Sequence, residues 1–168
     1  MAVILITGMS GTGKSAALGQ LRQRGYAAVD TDAGGWIELV PAPGGGVERQ
    51  WREDLIDDLI AGHERSGAPL FIGGTVWNQR AFYPRFREIV LLSAPLAVML
   101  ERIAARGGNP FGKTAKERGR IVADTAAVEP LLRSSATLEI DTRAPLAEVV
   151  DRLAALAGPP APAQRPRP

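Results

Sequence analysis

Residues Gly8-Met9-Ser10-Gly11-Thr12-Gly13-Lys14-Ser15 read G-x-x-x-x-G-K-S, and the residues on either side decide what that spacing means. Before it, Val3-Ile4-Leu5-Ile6 is an unbroken aliphatic run, the pattern of a short strand buried on both faces. After it, Ala16-Ala17-Leu18-Gly19-Gln20-Leu21 continues as a helix to about Arg24, where Gly25 stops it. Strand, glycine loop and helix in that order form a phosphate-binding loop. The glycines let the backbone turn without a Cβ clash, so that successive amide N–H groups and the helix N-terminus point at one anionic site. Lys14 adds a mobile cation for the β- and γ-phosphates of ATP, and Ser15 offers a hydroxyl to Mg²⁺.

The rest of the composition bounds what such a loop serves. A chain of 168 residues suffices for one domain with a full core, and 45% apolar with 23% charged residues is ordinary for a soluble globular protein. Lys and Arg number 20 against 18 acids, and the net charge of +2 gives no basic stripe for nucleic acid. The absence of cysteine rules out disulfides and thiolate metal sites and fits a reducing compartment. No apolar run is long enough to span a membrane, and the first six residues are too short and uncharged for a signal peptide, so a cytoplasmic protein is expected. Oligomeric state is not legible.

Beyond the first helix, Tyr26 to Asp30 reads as a second buried strand ending in Asp30-Thr31-Asp32. Ligands of open α/β sheets gather at the carboxyl ends of the strands, which puts both acids in the crevice of the phosphate loop. Gly34 to Gly46 reads as a turn-rich surface excursion, and Val47 to His63 as one amphipathic helix through Trp51, Leu55, Ile56, Leu59 and Ile60. Leu70-Phe71-Ile72 is the third strand, turned by Gly73-Gly74-Thr75, and Asn78-Gln79 and Phe82-Tyr83-Pro84 follow in a loop or short helix. Glu88 to Leu92 is the fourth strand. Pro95 opens a helix over Leu96 to Arg106, interrupted by Gly107-Gly108-Asn109-Pro110.

Helical character resumes from Thr114 to Leu132, where Thr114 and Glu117 have capping-box spacing. Leu138 to Asp141 is the fifth strand and Pro145 to Leu156 the last helix. The prediction is a three-layer, doubly wound α/β domain over residues 1–157 with a parallel sheet of five strands. A lid segment falls at about 107–120, and a Pro-rich tail over 158–168 is expected to be disordered.

With these features in order, the chain resembles P-loop small-molecule kinases of the nucleoside monophosphate kinase fold, and shikimate kinase in particular, over about residues 1–156. The resemblance rests on Gly8 to Ser15, Asp30-Thr31-Asp32, Trp51-Arg52, Gly73-Gly74 and an arginine-bearing lid. It implies that Asp30 supports the Mg²⁺ shell, that Asp32 contacts the acceptor hydroxyl, and that Arg52 and Gly73-Gly74 hold the acceptor. It also implies that Arg143, after the fifth strand, lines the adenine site. Two departures stand out: the third glycine of that family's turn is Thr75 here, and Glu129 stands where a second carboxylate-binding arginine is found. A glutamate there repels an acceptor carboxylate, so the reaction type carries over and shikimate itself does not.

Arg102 and Arg106 lie one helical turn apart at the edge of the Gly107 break, and with Lys113, Arg118 and Arg120 they supply cations for a closing lid. They are the first choices, with Lys14 and Asp32, for the residues that act on the transferring phosphoryl group. Asn78, Gln79 and Tyr83 either touch the acceptor or fix their own loop, Trp36 and Trp77 flank the acceptor side, and His63 reads as a surface histidine. The leading expectation is ATP- and Mg²⁺-dependent phosphoryl transfer to a hydroxyl of a small metabolite. A nucleoside or nucleoside monophosphate kinase is the alternative, and a nucleotide-binding regulator or weak NTPase the second alternative.

Overall fold

The protein, seen in a computed structural model, is described over residues 2–107 and 112–162. Strand β1 (Val3–Thr7) is buried at every position, as its aliphatic run requires. Helix α1 (Lys14–Gln23) and strand β2 (Ala27–Asp30) follow, and later come β5 (Leu70–Gly73), β6 (Glu88–Ser93) and β7 (Leu138–Asp141). These five strands form one sheet in the order β2-β5-β1-β6-β7. Every neighbouring pair is parallel, with Ile6 opposite Gly73 on one side and Val90 on the other. The strand order reverses about β1, so the crevice at its carboxyl end is where the phosphate loop stands.

Side chains alternate across β1 and split the core into two layers. Ile4 and Ile6 meet Leu18 and Leu21 of α1 and Val149, Val150 and Leu153 of α5 (Leu146–Ala157). Val3 and Leu5 meet Ile56 and Ile60 of α2 (Glu53–Ser66) and Phe82 and Phe86 at the 3-10 helix Gln79–Arg85. Helix α3 (Leu96–Ala105) buries Met99 and Ile103, and α4 (Ala115–Ser135) buries Ile121 and Leu132. The predicted capping box is present: Glu117 N–H donates to the Thr114 hydroxyl at 3.2 Å, and the Glu117 carboxylate accepts from Thr114 N–H at 3.2 Å.

One region departs from the sequence reading. Gly34 to Gly46 is not wholly irregular and Val47 to His63 is not one helix. Residues β3 (Ile37–Pro41) and β4 (Val47–Trp51) pair as an antiparallel hairpin, with Ile37 opposite Trp51 and Leu39 opposite Arg49. The run Gly44-Gly45-Gly46 supplies the hairpin turn, and the glycines at 45 and 46 take positive φ there. Only after Arg52 does the helical period begin, so Arg52 stands at the N-cap of α2 and not inside a helix.

The hairpin is anchored by Trp51, which is fully buried. Its indole N–H donates to Thr31 Oγ1 at 2.9 Å, and its ring packs edge-on to Phe82 at 5.7 Å. Trp51→Ala is expected to cost ~3–5 kcal/mol, and Trp51→Phe, which loses only the indole hydrogen bond and some volume, about 1–2 kcal/mol. Urea denaturation of the two variants checks this order.

Residues 108–111 of the expected lid lie outside the described residues, as do residues 163–168 of the tail. The lid's described part is Gly107, Gly112 to Thr114 and the first turns of α4, where Arg118 and Arg120 are exposed. At the other end, the Tyr26 hydroxyl donates to the Gly158 carbonyl at 2.6 Å and ties the start of the tail to the end of α1. Among the described residues no helix is long and apolar enough to cross a membrane.

Candidate active site

The loop between β1 and α1 closes by Thr12, whose hydroxyl donates to Met9 O at 2.8 Å. Gly8 is glycine of necessity, since a Cβ there would lie 2.4 Å from the Leu92 carbonyl oxygen. Gly13 holds the N-cap of α1 in the left-handed region at φ 94, and no side chain caps the helix. The first-turn amides of α1, which no acidic residue accompanies, therefore face the crevice and favour an anion. Lys14 Nζ donates to the carbonyls of Gly8 and Met9.

The charges around Lys14 define the site. Burial pushes its ammonium down from 10.5 to about 8, opposed by Asp32 and Asp30 and reinforced by Arg49 and Arg106. All four groups act electrostatically on the loop lysine, and two of them are the acids expected to be catalytic or metal-binding. Ser15 Oγ donates to Asp30 Oδ2 at 2.6 Å, which sets a hydroxyl and a carboxylate side by side at the loop's end. Both are hard oxygen donors of the kind Mg²⁺ prefers. Among the described residues no group of three or more His, Cys, Asp or Glu that could hold a metal ion is present.

Asp32 sits just outside that pair. Its main-chain N–H donates to Asp30 Oδ1 at 3.1 Å, and its carboxylate meets the Arg49 guanidinium at 3.2 Å. Side-chain exposures of 44% for Asp32 and 52% for Arg49 leave both open to a ligand. In a helix over 47–63 Arg49 would be one more polar position; strand β4 instead turns it to the same face as Trp51 and over Asp32. The turn-forming run Gly44-Gly45-Gly46 just before β4 is the sequence signal for it.

Arg102 and Arg106 divide between two places. Arg102 donates to Gly11 O at 3.3 Å, to Thr142 Oγ1 at 2.8 Å and to Thr142 O at 2.6 Å. It forms a wall of a cavity of about 290 Å³ behind the loop, shared with Gly13, Ala16, Thr142, Arg143 and Val149. Arg106, at the C-cap of α3, is the one whose charge acts on Lys14. Lys113 Nζ donates to its carbonyl at 2.6 Å, which fastens the described end of the lid segment to α3. Arg143 lines the cavity while its guanidinium grips Asp141 at 2.6 Å, holding that carboxyl below the usual range.

The remaining candidates are placed less centrally. Gly73 and Gly74 are both buried, and their lack of a side chain serves packing: a Cβ would meet Leu18 Cδ1 at 2.2 Å and Thr31 Oγ1 at 2.3 Å respectively. Arg52 uses its main-chain N–H on Trp36 O at 2.8 Å and leaves its side chain exposed. Asn78 fixes the hairpin, accepting from Trp51 N at 2.8 Å and donating to Trp51 O at 3.0 Å. Trp36 is half-buried against the core, and Trp77 is 62% exposed beside β4. The imidazole of His63 lies within 3.1 Å of Ala68 O at the end of α2.

Glu129 does not stand over the acids. It pairs with Arg133 at 2.9 Å, and Arg133 in turn holds Glu139 of β7 at 2.7 Å. That is the opposite edge of the sheet from β2, roughly 19 Å across four strand spacings. One guanidinium serves both glutamates there, and Glu129's place toward that edge, away from β2, removes it as the argument against an acceptor carboxylate.

With this geometry in place, comparisons with known proteins give the class. The family described as AAA domain matches residues 4–123, and the chain belongs to it. Its fold is that of P-loop kinases of the nucleoside monophosphate kinase type. Shikimate kinase from Acinetobacter baumannii in complex with shikimate superposes with a TM-score of 0.59 at 17% identity, covering 93% of this chain and 92% of that one. Shikimate kinase from Bacteroides thetaiotaomicron gives 0.58 at 18% identity, covering 92% and 97%. A sugar kinase from Janibacter sp. HTCC2649 gives 0.55 at 18% identity, covering 93% and 94%. A search of curated proteins returns no match.

Proposed function

We propose that the protein transfers the γ-phosphoryl group of ATP, in the presence of Mg²⁺, to a hydroxyl of a small metabolite. The observation that carries this reading is the division of labour between two acids at the end of β2. Asp30 is bonded to the Ser15 hydroxyl at 2.6 Å, whereas Asp32 lies outward and exposed beside Arg49. A switch or weak NTPase needs only the first of these. An acceptor hydroxyl needs the second. The names shikimate kinase and sugar kinase carried by proteins of the same fold support an alcohol as acceptor.

In this reading the triphosphate lies along the loop, with Lys14 and the α1 amides on its oxygens, and the base enters the cavity walled by Arg102 and Arg143. Ser15 and Asp30 would hold Mg²⁺, which would supply neutralisation of phosphate charge. The acceptor oxygen attacks the γ-phosphorus in line, the bond to the β–γ bridging oxygen breaks, and ADP leaves. The hydroxyl proton passes to Asp32. Phosphoryl transfer depends chiefly on positioning and charge, so a weak base suffices. Arg106, within electrostatic reach of Lys14, is the better of the two α3 arginines for the transferred group, and Arg102 serves the nucleotide.

Arg49 and Arg52 on the acceptor side also suit a phosphate-bearing acceptor, which keeps a nucleoside monophosphate as the second reading. ATP consumption is therefore measured with Mg²⁺ against panels of polyols, sugars, hydroxy acids, nucleosides and nucleotides. Stimulation by a non-nucleotide alcohol is expected. Strong stimulation by a nucleotide alone supports the second reading, and silence across all panels points to a regulator or weak NTPase.

A further inference from the structure

We propose that Thr75 is a positioning residue that frees Lys14 for the nucleotide, by serving as a second hydrogen-bond donor to the carbonyl that the lysine otherwise holds. The inference rests on the nucleotide-binding part of the reading above. Thr75 stands on the turn after β5, on the acceptor side, and its side chain reaches across to the phosphate loop.

The direction of the hydrogen bonds follows from counting protons. Gly8 O accepts from Lys14 Nζ and from Thr75 Oγ1, the latter at 2.7 Å. A threonine hydroxyl has one hydrogen and a carbonyl has none, so the hydrogen of Thr75 points at Gly8 O. Its lone pairs then receive Gly8 N–H at 3.2 Å and the Thr7 hydroxyl at 3.1 Å. Thr7 Oγ1 accepts in turn from Gln79 Nε2 at 3.3 Å. Gln79 is buried and fully engaged, donating also to the Tyr83 hydroxyl at 3.0 Å and accepting from Val76 N at 2.9 Å. The chain runs one way, from Gln79 through Thr7 and Thr75 to Gly8, and each bond polarises the next.

Gly8 is buried, so its carbonyl is costly to leave without a donor. When Lys14 swings from Gly8 O to a phosphate, Thr75 remains in place and the carbonyl stays satisfied. Without the hydroxyl, nucleotide binding has to strip Gly8 O of both donors. The same bond ties the loop to the acceptor-side turn, so the two halves of the site are held in register. In this light Asn78 and Gln79 act on the hairpin and the loop, and Thr75 is more than a replaced glycine.

The test uses the full chain and MgATP, with binding followed by calorimetry in wild type, Thr75→Val and Thr75→Ser. Valine keeps the shape and removes the hydroxyl, and MgATP is expected to bind it ~10-fold more weakly. Serine is expected to bind within about twofold of wild type, because the donor is retained. Wild-type affinity in Thr75→Val, or a serine variant as weak as valine, overturns the inference. Thr75→Ala serves the measurement where Thr75→Val does not fold. Failure of wild type to bind MgATP overturns the nucleotide reading and this inference with it, and is seen before any substitution is made.

Discussion

Lys14→Met is expected to lower phosphoryl transfer about 10³-fold and to weaken MgATP binding, with the fold intact. The ammonium is the cation on the loop that can follow charge as it moves onto the β–γ bridge, and methionine keeps the stem without the charge. The same group gives a pH signature. Its pKa is pushed to about 8 by burial, with Asp32 and Asp30 opposing and Arg49 and Arg106 adding to the fall. Below that value the lysine is charged and nucleotide affinity is complete; as pH rises through about 8 affinity falls. Stability without nucleotide moves the other way. Between about 8 and 10.5 the unfolded chain holds a proton on this lysine that the folded chain has released, so stability rises with pH across that window. Nucleotide titrations and urea melts across this range check both signs, and Lys14→Met flattens both.

Asp32→Asn is expected to reduce transfer by ~10²–10⁴-fold while leaving MgATP affinity near wild type. The asparagine keeps size and one oxygen, but it accepts no proton from the attacking hydroxyl. Because Asp32 is bonded to Arg49 and exposed, while Asp30 is the acid bonded to Ser15, the substitution leaves the metal-side pair untouched. The pattern to be measured is a fall in kcat at unchanged ATP affinity. Equal turnover in the variant removes Asp32 from the mechanism, and a loss of ATP binding assigns it to the nucleotide side.

The strands and helices that carry the phosphate loop were legible because local patterns and tertiary role agree there. Val3 to Ile6 is aliphatic since β1 is covered on both faces, and Gly8 is glycine because the Leu92 carbonyl leaves no room for a Cβ. The acids at 30 and 32 followed from the rule that ligands collect at strand ends. The hairpin is hidden because Val47, Trp51, Leu55 and Ile56 fit a helical period, and Val47-Glu48-Arg49-Gln50-Trp51 carries no apolar alternation to oppose it. With the hairpin went Arg49, whose place beside Asp32 depends on pairing with β3.

Other parts of the site had no sequence signal of their own. Thr75 and Thr142 act through bonds to residues 67 and 40 positions away, and nothing in their immediate neighbours announces it. Glu129 shows the converse. Aligned by order with a family's arginine, it suggests a repelled acceptor, yet in the fold it pairs with Arg133 toward the β7 edge of the sheet, across from β2. Gly73 and Gly74 matched an acceptor-binding turn, and the structure gives them a packing reason that stands without any ligand.

The central claim is that the γ-phosphoryl group ends on an alcohol oxygen. It is tested most directly by incubating the protein with ATP labelled at the γ-phosphate, Mg²⁺ and the acceptor panels, and separating small-molecule phosphate esters from inorganic phosphate, with Lys14→Met as the blank. The account predicts label in a phosphate ester of one acceptor class, absent from the blank. Label recovered only as inorganic phosphate with every panel contradicts it.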